Sequence, residues 1–372
     1  MPLYLGFDVR SESVTATVIE IAATRRIAFH RSIAVASPAM WEDALDRIMS
    51  ELAVAAELDL DDLRGMSGAA AGADAAPSLP PVALLGLSPS RQLAPQLRVI
   101  VPEDDLNAMR ESPRAFFTQL LAAPYWQKRY SLPSVRLVPW QTSHASTLIG
   151  TGVIRPGLIL ISLGTHDTVA DVNSVLTFRN GALAREWIRL EHQLQAAEFG
   201  VLLEVRPGND GCIMLPWLEP EITPLVRHAG VRRFGFDRLD AGRNVRALVE
   251  GQLMAMANHA SELMEPPGRI IVTGAEAEDH ALLRVMANVF GVDVHWLDVA
   301  NGAALGAALR AYQADRLDSV EPVSWNTVVS VFTEPNPGHR VSPNPKHVAR
   351  YAALRRDYAI LERLHKDRPP VC

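Results

Sequence analysis

Ile159 to Asp171, reading Ile-Leu-Ile-Ser-Leu-Gly-Thr-His-Asp-Thr-Val-Ala-Asp, constrains this chain more than any other stretch. An apolar run of strand length breaks at Gly164-Thr165 and resumes as a second short apolar run, the pattern of a hairpin whose tight turn exposes backbone N–H groups and a hydroxyl. Such a turn can hold a phosphate. A lone Gly-Thr turn is weak evidence, because most are plain hairpins. Near the N-terminus, however, Leu3 to Ile19 repeats the grammar: an apolar strand, a polar turn carrying Asp8, Ser11 and Ser13, then an alternating strand. Two such hairpins, each opening its own half of the chain, point to a duplicated domain with a nucleotide between the halves.

A length of 372 residues allows two domains with sizeable cores, and a hydrophobic content of 48% is ordinary for a soluble globular protein. A net charge of -6 without a basic tract gives no electrostatic reason to expect nucleic acid. Cys212 and Cys372 are the only cysteines, which argues against a disulfide framework or a cysteine zinc site. No apolar run reaches the roughly 18 residues of a membrane span, and the first residues read as a strand rather than a leader. A cytoplasmic protein with neither a nucleic-acid nor a membrane partner is expected.

Local patterns then place the elements. Residues 3–36 read as three strands, with a turn at Thr24-Arg25-Arg26. Trp41, Ala44, Leu45, Ile48, Met49 and Leu52 recur at helical spacing, and Leu63 to Gly72 reads as a strand. A flexible loop over 69–81, a short strand at Val82 to Leu87 and a helix over Ser112 to Tyr130 follow. In the second half the pattern predicts helices over Asn244 to Leu263, His280 to Phe290 and 345–364, a strand at Arg269 to Thr273, and a surface loop from Asp315 to Asn326.

Specific segments carry a resemblance. These are Phe178-Arg179-Asn180-Gly181 with Arg185-Glu186, Glu221-Ile222-Thr223-Pro224, Val245 to Gln252, Val272-Thr273-Gly274-Ala275, and Asn301-Gly302-Ala303-Ala304-Leu305-Gly306. Together with the two turns and the tail from Pro343 to Tyr358, they resemble the FGGY carbohydrate kinases, with the xylulokinases nearest. The resemblance is dense from about residue 150 onward, clear over 3–72 and poor between.

That resemblance implies nucleotide contacts at Asp8, Ser11, Ser13, Gly164, Thr165, Gly274 and Ala275, with Asp8 helping to position Mg2+ on the phosphates of ATP. Asp167 has a match in xylulokinases, although satisfying its own turn explains it as well. The chain also departs from the pattern. The first turn reads Val9-Arg10-Ser11-Glu12-Ser13, with Thr15 where a Lys is common; Arg10 supplies positive charge and Glu12 opposes phosphate. Ala71 stands where the family has a sugar-binding His, so that contact is lost, and Arg114 is a weak candidate sugar contact.

In the family, an Asp seven residues before the Gly matching Gly150 is the general base that accepts the proton of the attacking sugar hydroxyl. That register puts Ser143 at the position; anchoring on Ala145-Ser146 puts Thr142 there. Either way the carboxylate is missing, because no Asp or Glu lies between Glu111 and Asp167. His144 is the one titratable replacement, as an imidazole ordinarily titrates near pH ~6.5, and a polar residue at a strand end is the plainer account of it.

The expected fold is α/β, two actin-like (RNase H-like) domains, each a mixed sheet flanked by helices with a nucleotide cleft between them. Residues 1–150 are expected as a shortened N-terminal domain on the sugar side, 151–315 as the nucleotide side, and 316–372 as a terminal loop and helix. By descent the function is transfer of the terminal phosphate of ATP to a ketopentose such as D-xylulose. The alternative is a pseudokinase acting as a nucleotide- or sugar-binding regulator or partner subunit, and a homodimer is left open as the assembly.

Overall fold

A computed structural model describes residues 1–22, 25–37, 40–55, 57–70, 129–130, 135–138, 141–204, 206–317 and 323–369. The expected strand at 82–87, most of the helix at 112–130, and the site positions Ala71 and Arg114 lie outside the described residues. Numbering the described elements in chain order, the first are β1 (Leu3–Val9), β2 (Ser13–Ile21), β3 (Arg25–Ala34), α1 (Trp41–Ala53), β4 (Leu63–Ala70), β5 (Arg136–Leu137), β6 (Gln141–Thr142) and α2 (Ser143–Gly150). Then come β7 (Leu158–Leu163), β8 (Asp167–Ala170), β9 (Val175–Phe178), α3 (Ala182–Glu191), α4 (Ala196–Glu204), β10 (Ile213–Leu215), β11 (Arg232–Phe234) and α5 (Ala241–Leu263). The last are β12 (Arg269–Gly274), α6 (His280–Phe290), β13 (Val294–Trp296), α7 (Gly302–Leu317), α8 (Trp325–Thr333), β14 (Arg340–Val341) and α9 (Pro345–His365).

The chain folds as two units. One comprises residues 1–155 and 299–334, the other 156–298 and 335–372. This division differs from bounds drawn at 150/151 and 315/316, because α7 packs on β1, β2 and β4 of the first unit.

In the first unit the sheet runs β3-β2-β1-β4-β5, with β6 also beside β4; β1 is antiparallel to β2 and parallel to β4. Alternation along β1 explains the two cores. Leu3, Leu5, Phe7 and Val9 face the α1 side, where Trp41, Leu45, Ile48, Met49 and Leu52 supply the stripe read from the sequence. Tyr4 faces the other side with Leu305, Leu309 and Tyr312 of α7 and Val328 and Val329 of α8. On that face Gly6 is required by contact, since a Cβ there would collide with the backbone of α7 at Ala304 and Ala308. The same small-residue helix crosses α2 at Gly302 and Gly306, where added side-chain carbon would strike Thr147, Thr151 and the Ser146 carbonyl. Helix packing therefore accounts for the Gly302 to Ala308 run.

Three readings change here. The segment 315–326 is not a surface loop throughout: α7 continues to Leu317 because Tyr312 and Ala314 stay in the core, and α8 begins at Trp325 behind the Ser324 cap. Residues 143–150 form a helix rather than a strand end, with Thr142 Oγ1 accepting from Ala145 N at 3.2 Å. The turn expected at 24–26 gives way to β3, which already begins at Arg25.

The second unit repeats the plan, with order β14-β13-β12-β7-β8-β9, β7 antiparallel to β8 and parallel to β12. The helix predicted over 280–290 is α6, started by the Asp279 carboxylate accepting from Ala281 N and Leu282 N and stopped by Gly291 at φ +75°. Helix α9 docks on α5 through paired Asn258–Arg355 hydrogen bonds and through His259 Nε2, 2.9 Å from Glu362 Oε2.

Burial works against charge on His259, but the hydrogen bond and charge of Glu362, helped by Glu262, leave its pKa raised above the ordinary 6.5. A raised folded-state pKa stabilises the protein fully below the unfolded value and loses that contribution as pH rises through the folded value. Chemical denaturation is expected to show wild type losing its advantage over His259→Gln as pH climbs upward from about 6.5. A difference between the two proteins that stays constant from pH 5 to 9 removes the charged pair from the account.

Candidate functional site

Neighbouring parallel strands β7 and β12 end side by side, with Gly274 opposite Leu163. The carboxyl ends of such strands are where open α/β sheets bind ligands. Gly164 and Thr165 follow one strand, Ala275 follows the other, and the structure thus brings four predicted nucleotide contacts to one sheet edge. Thr165 and His166 are exposed at the hairpin tip, as is Ala275.

The two glycines differ in their reasons. Gly274 has φ +108° and any Cβ would collide with the Leu163 carbonyl, so the chain itself demands glycine. At Gly164 an added Cβ would meet nothing closer than the His166 carbonyl at 3.5 Å. Beyond that atom, the space at the Gly164 side-chain position is open. The Gly164 N–H, however, already donates to Asp167 Oδ1 at 3.0 Å, so what the turn can still offer comes from the exposed Thr165 and His166.

Asp167 is fully buried and organises the edge. Arg185 Nη1 and Nη2 donate to its two oxygens at 2.7 and 3.1 Å, a bidentate pair. The same guanidinium reaches Glu276 just past Ala275 through Nε at 3.0 Å, and Gln252 Oε1 at 3.1 Å. Burial opposes the charge on Arg185, yet Asp167 and then Glu276 hold its pKa above the usual arginine range. One buried cation thereby clamps the hairpin turn to the strand-glycine loop. Arg185 was visible in the sequence only as part of a shared motif; its partners lie 18 and 91 residues away.

The other shared motifs explain themselves as supports. Glu221 accepts from Arg179 N at 2.5 Å, Asn180 N at 3.2 Å, Asn180 Nδ2 at 2.8 Å and Ile222 N at 2.7 Å, tying two quoted segments together. Gly181 lets that loop close on the hairpin, since a Cβ would lie 2.8 Å from Asp167 Oδ1. Glu250 is buried and accepts from Gly208 N at 2.9 Å and the Tyr351 hydroxyl at 2.6 Å; burial raises its pKa. Gly251 sits where a Cβ would strike the Met214 carbonyl.

In the first unit, Asp8 is fully buried at the end of β1. Three donors hold its carboxylate: Ser143 Oγ to Oδ1 at 2.6 Å, Arg10 Nε to Oδ2 at 2.7 Å, and Asn301 Nδ2 to Oδ2 at 3.1 Å. Ser143 thus meets Asp8, whereas the Thr142 side chain is spent capping α2. His144 follows in the first turn of α2, half-buried. Ser11 is spent on Glu12, to which its hydroxyl donates, and Ser13 closes the turn by accepting Arg10 N at 2.8 Å through its carbonyl. Asn301 escaped notice as a site residue because its partner lies 293 positions away; its Oδ1 also accepts from Ala304 N at 2.8 Å.

The residues around Asp8 do not fit the Mg2+ that the resemblance implies. A hard cation needs open carboxylate lone pairs, and here an arginine and two neutral donors occupy three of about four, the arginine adding a positive charge that opposes a cation. Among the described residues no group of three or more His, Cys, Asp or Glu side chains is placed to hold a metal ion. No described helix is long and apolar enough to cross a membrane.

Comparison with known proteins agrees with this architecture. Residues 171–314 match the C-terminal domain of the FGGY family of carbohydrate kinases. Xylulose kinase of Rattus norvegicus is 31% identical over 282 residues, covering 66% of this chain and 51% of that protein. Xylulose kinase 2 of Arabidopsis thaliana is 27% identical over 257 residues, covering 56% and 46%. The chain spans about half the length of the curated relatives it matches. Among solved structures, gluconate kinase from Lactobacillus acidophilus aligns with a TM-score of 0.74 at 16% identity over 98% of both chains. Xylulose kinase from Rhodospirillum rubrum aligns with a TM-score of 0.71 at 15% identity, over 97% of this chain and 98% of that one. The two mixed sheets with flanking helices are the sugar-kinase, actin-like fold. On its shared segments, its fold and these matches, the chain belongs to the FGGY family of carbohydrate kinases and is xylulokinase-like.

Proposed function

We propose that the chain binds ATP at the edge formed by Gly164, Thr165, Gly274 and Ala275, and that its transfer of the terminal phosphate to a ketopentose such as D-xylulose is impaired. One observation carries the impairment: Ser143, the residue at the family's base position, spends its hydroxyl proton on Asp8 at 2.6 Å. A serine so engaged does not take a proton from an attacking sugar hydroxyl. Loss of general-base assistance costs typically about 10²- to 10⁴-fold, whereas positioning and charge stabilisation of the phosphoryl group persist without it. The nucleotide edge is supported separately by the space left at Gly164 and by the Asp167–Arg185–Glu276 clamp.

A fully active kinase is the second reading, favoured by His144 standing directly beside Ser143 at the start of α2. Calorimetry with ATP, combined with an ADP-release assay on D-xylulose and a panel of ketoses, separates the two. The expected result is ATP binding with slow sugar-dependent ADP release, raised about tenfold or more by Ser143→Asp. Turnover in the ordinary kinase range of roughly 1–100 s⁻¹, abolished by His144→Ala, overturns the impaired reading. Absence of ATP binding removes the nucleotide assignment.

A further inference from the structure

Asp8 lies near the end of β1 and Arg10 just beyond it, where the guanidinium turns back onto the Asp8 carboxylate. The consequence is an ion pair between a guanidinium that is 40% exposed and a carboxylate that is 1% exposed. Arg10 is also pinned through its backbone. Its N–H donates to the Ser13 carbonyl at 2.8 Å, and its carbonyl accepts from Trp41 Nε1 at 2.9 Å. Only Nε is spent on Asp8. Among the described residues the two terminal nitrogens have no hydrogen-bond partner, and they are the part of the fork suited to paired oxygens of a phosphoryl group.

A divalent cation bound to the same carboxylate would stand within a few ångströms of this fixed positive charge and would compete with the Ser143 and Asn301 donors. The charge of Arg10 is the main obstacle. We propose that Arg10 has taken the place of a divalent cation at Asp8, so that the first unit offers a phosphoryl group a guanidinium held by the protein instead of a metal ion. Asp8, Ser143 and Asn301 are then positioning residues, which aim Arg10 without touching the ligand. The inference concerns the first unit alone and does not depend on the second unit holding a nucleotide.

Mn2+ serves as the paramagnetic probe for the metal, read by electron paramagnetic resonance, on wild type, Arg10→Thr and the double variant Arg10→Thr/Asp8→Asn. Wild type is expected to leave added Mn2+ free. Arg10→Thr is expected to gain one Mn2+ site, and the double variant to lose it. Tripolyphosphate titrated calorimetrically in the presence of a chelator gives the second arm: binding to wild type, weakened about tenfold or more in Arg10→Thr, with partial recovery in Arg10→Lys. Mn2+ bound by wild type and lost in Asp8→Asn overturns the proposal, as does tripolyphosphate binding that is indifferent to Arg10 or needs metal. A failure of ATP binding in the second unit leaves the Mn2+ result unaffected, so the two readings fail separately. Thermal melting of each variant confirms that the fold is retained.

Discussion

Arg185→Ala is expected to destabilise the second unit by about 3–5 kcal/mol, the ordinary cost of breaking a buried ion pair from one side. The value is large because of what the substitution leaves behind. Asp167 has no solvent exposure, and without the guanidinium its one remaining side-chain partner among the described residues is the Gly164 N–H. An unpaired buried carboxylate either stays charged at high cost or takes up a proton. Thermal unfolding of the variant should therefore shift by roughly 10 °C, and the shift should shrink in Arg185→Met/Asp167→Asn, where neither charge remains. Arg185→Lys is expected to rescue little, since one ammonium cannot span Asp167, Glu276 and Gln252 together. Nucleotide affinity should fall alongside stability, because the same clamp fixes the hairpin turn against the loop after β12. Variants that unfold like wild type show that the three acceptors find other partners and remove the clamp from the account.

Gly306→Val is the second large effect, and its cause is steric. In α7 the Cα of Gly306 lies against the backbone of α2, and a Cβ would overlap the Ser146 carbonyl. The obstacle is backbone on a packed helix, not a flexible side chain that can swing away. Forcing the helices apart disturbs the apolar cluster that α7 shares with Ile149 and Tyr4. Overpacking ordinarily costs about 1–3 kcal/mol, and a clash with main chain belongs at or beyond the top of that range. Gly157→Ala makes a fair comparison, because no atom stands near its side-chain position although its φ of +79° carries its own smaller cost. If both variants melt together, the close crossing of α2 and α7 does not limit stability.

The sequence made the periodic elements visible and hid the long-range ones. The Trp41 to Leu52 stripe, the hairpin at Gly164 and the helix at His280 are encoded in spacing and capping within a dozen residues, and the structure places each as read. Helix α2 escaped because Ser143 to Gly150 is short and its large apolar residues, Leu148 and Ile149, are adjacent and set no period; contact with α7 decides it. Helix α8 had its Ser324 cap and Val328-Val329 stripe in view, yet a short element after a charged stretch reads as loop. Asp8 and Ser143 in the first unit, and Gly164 and Gly274 in the second, were singled out through resemblance. Their present roles were not. That Asp8 holds Arg10 rather than standing open, and that Gly164 spends its amide on Asp167, follow from distances that no local pattern reports.

The dependence of β1 on α7 bears on how the chain is made. Gly6 and Tyr4 of β1 leave the ribosome long before the helix that covers them, which ends at Leu317. Until α7 has been made, the side of that sheet it covers stays open, and the nascent chain carries an apolar surface of the kind that attracts chaperones or other unfinished chains. A release series arrested before and after residue 317 should show protease resistance of the N-terminal segment arriving late and abruptly, when α7 emerges.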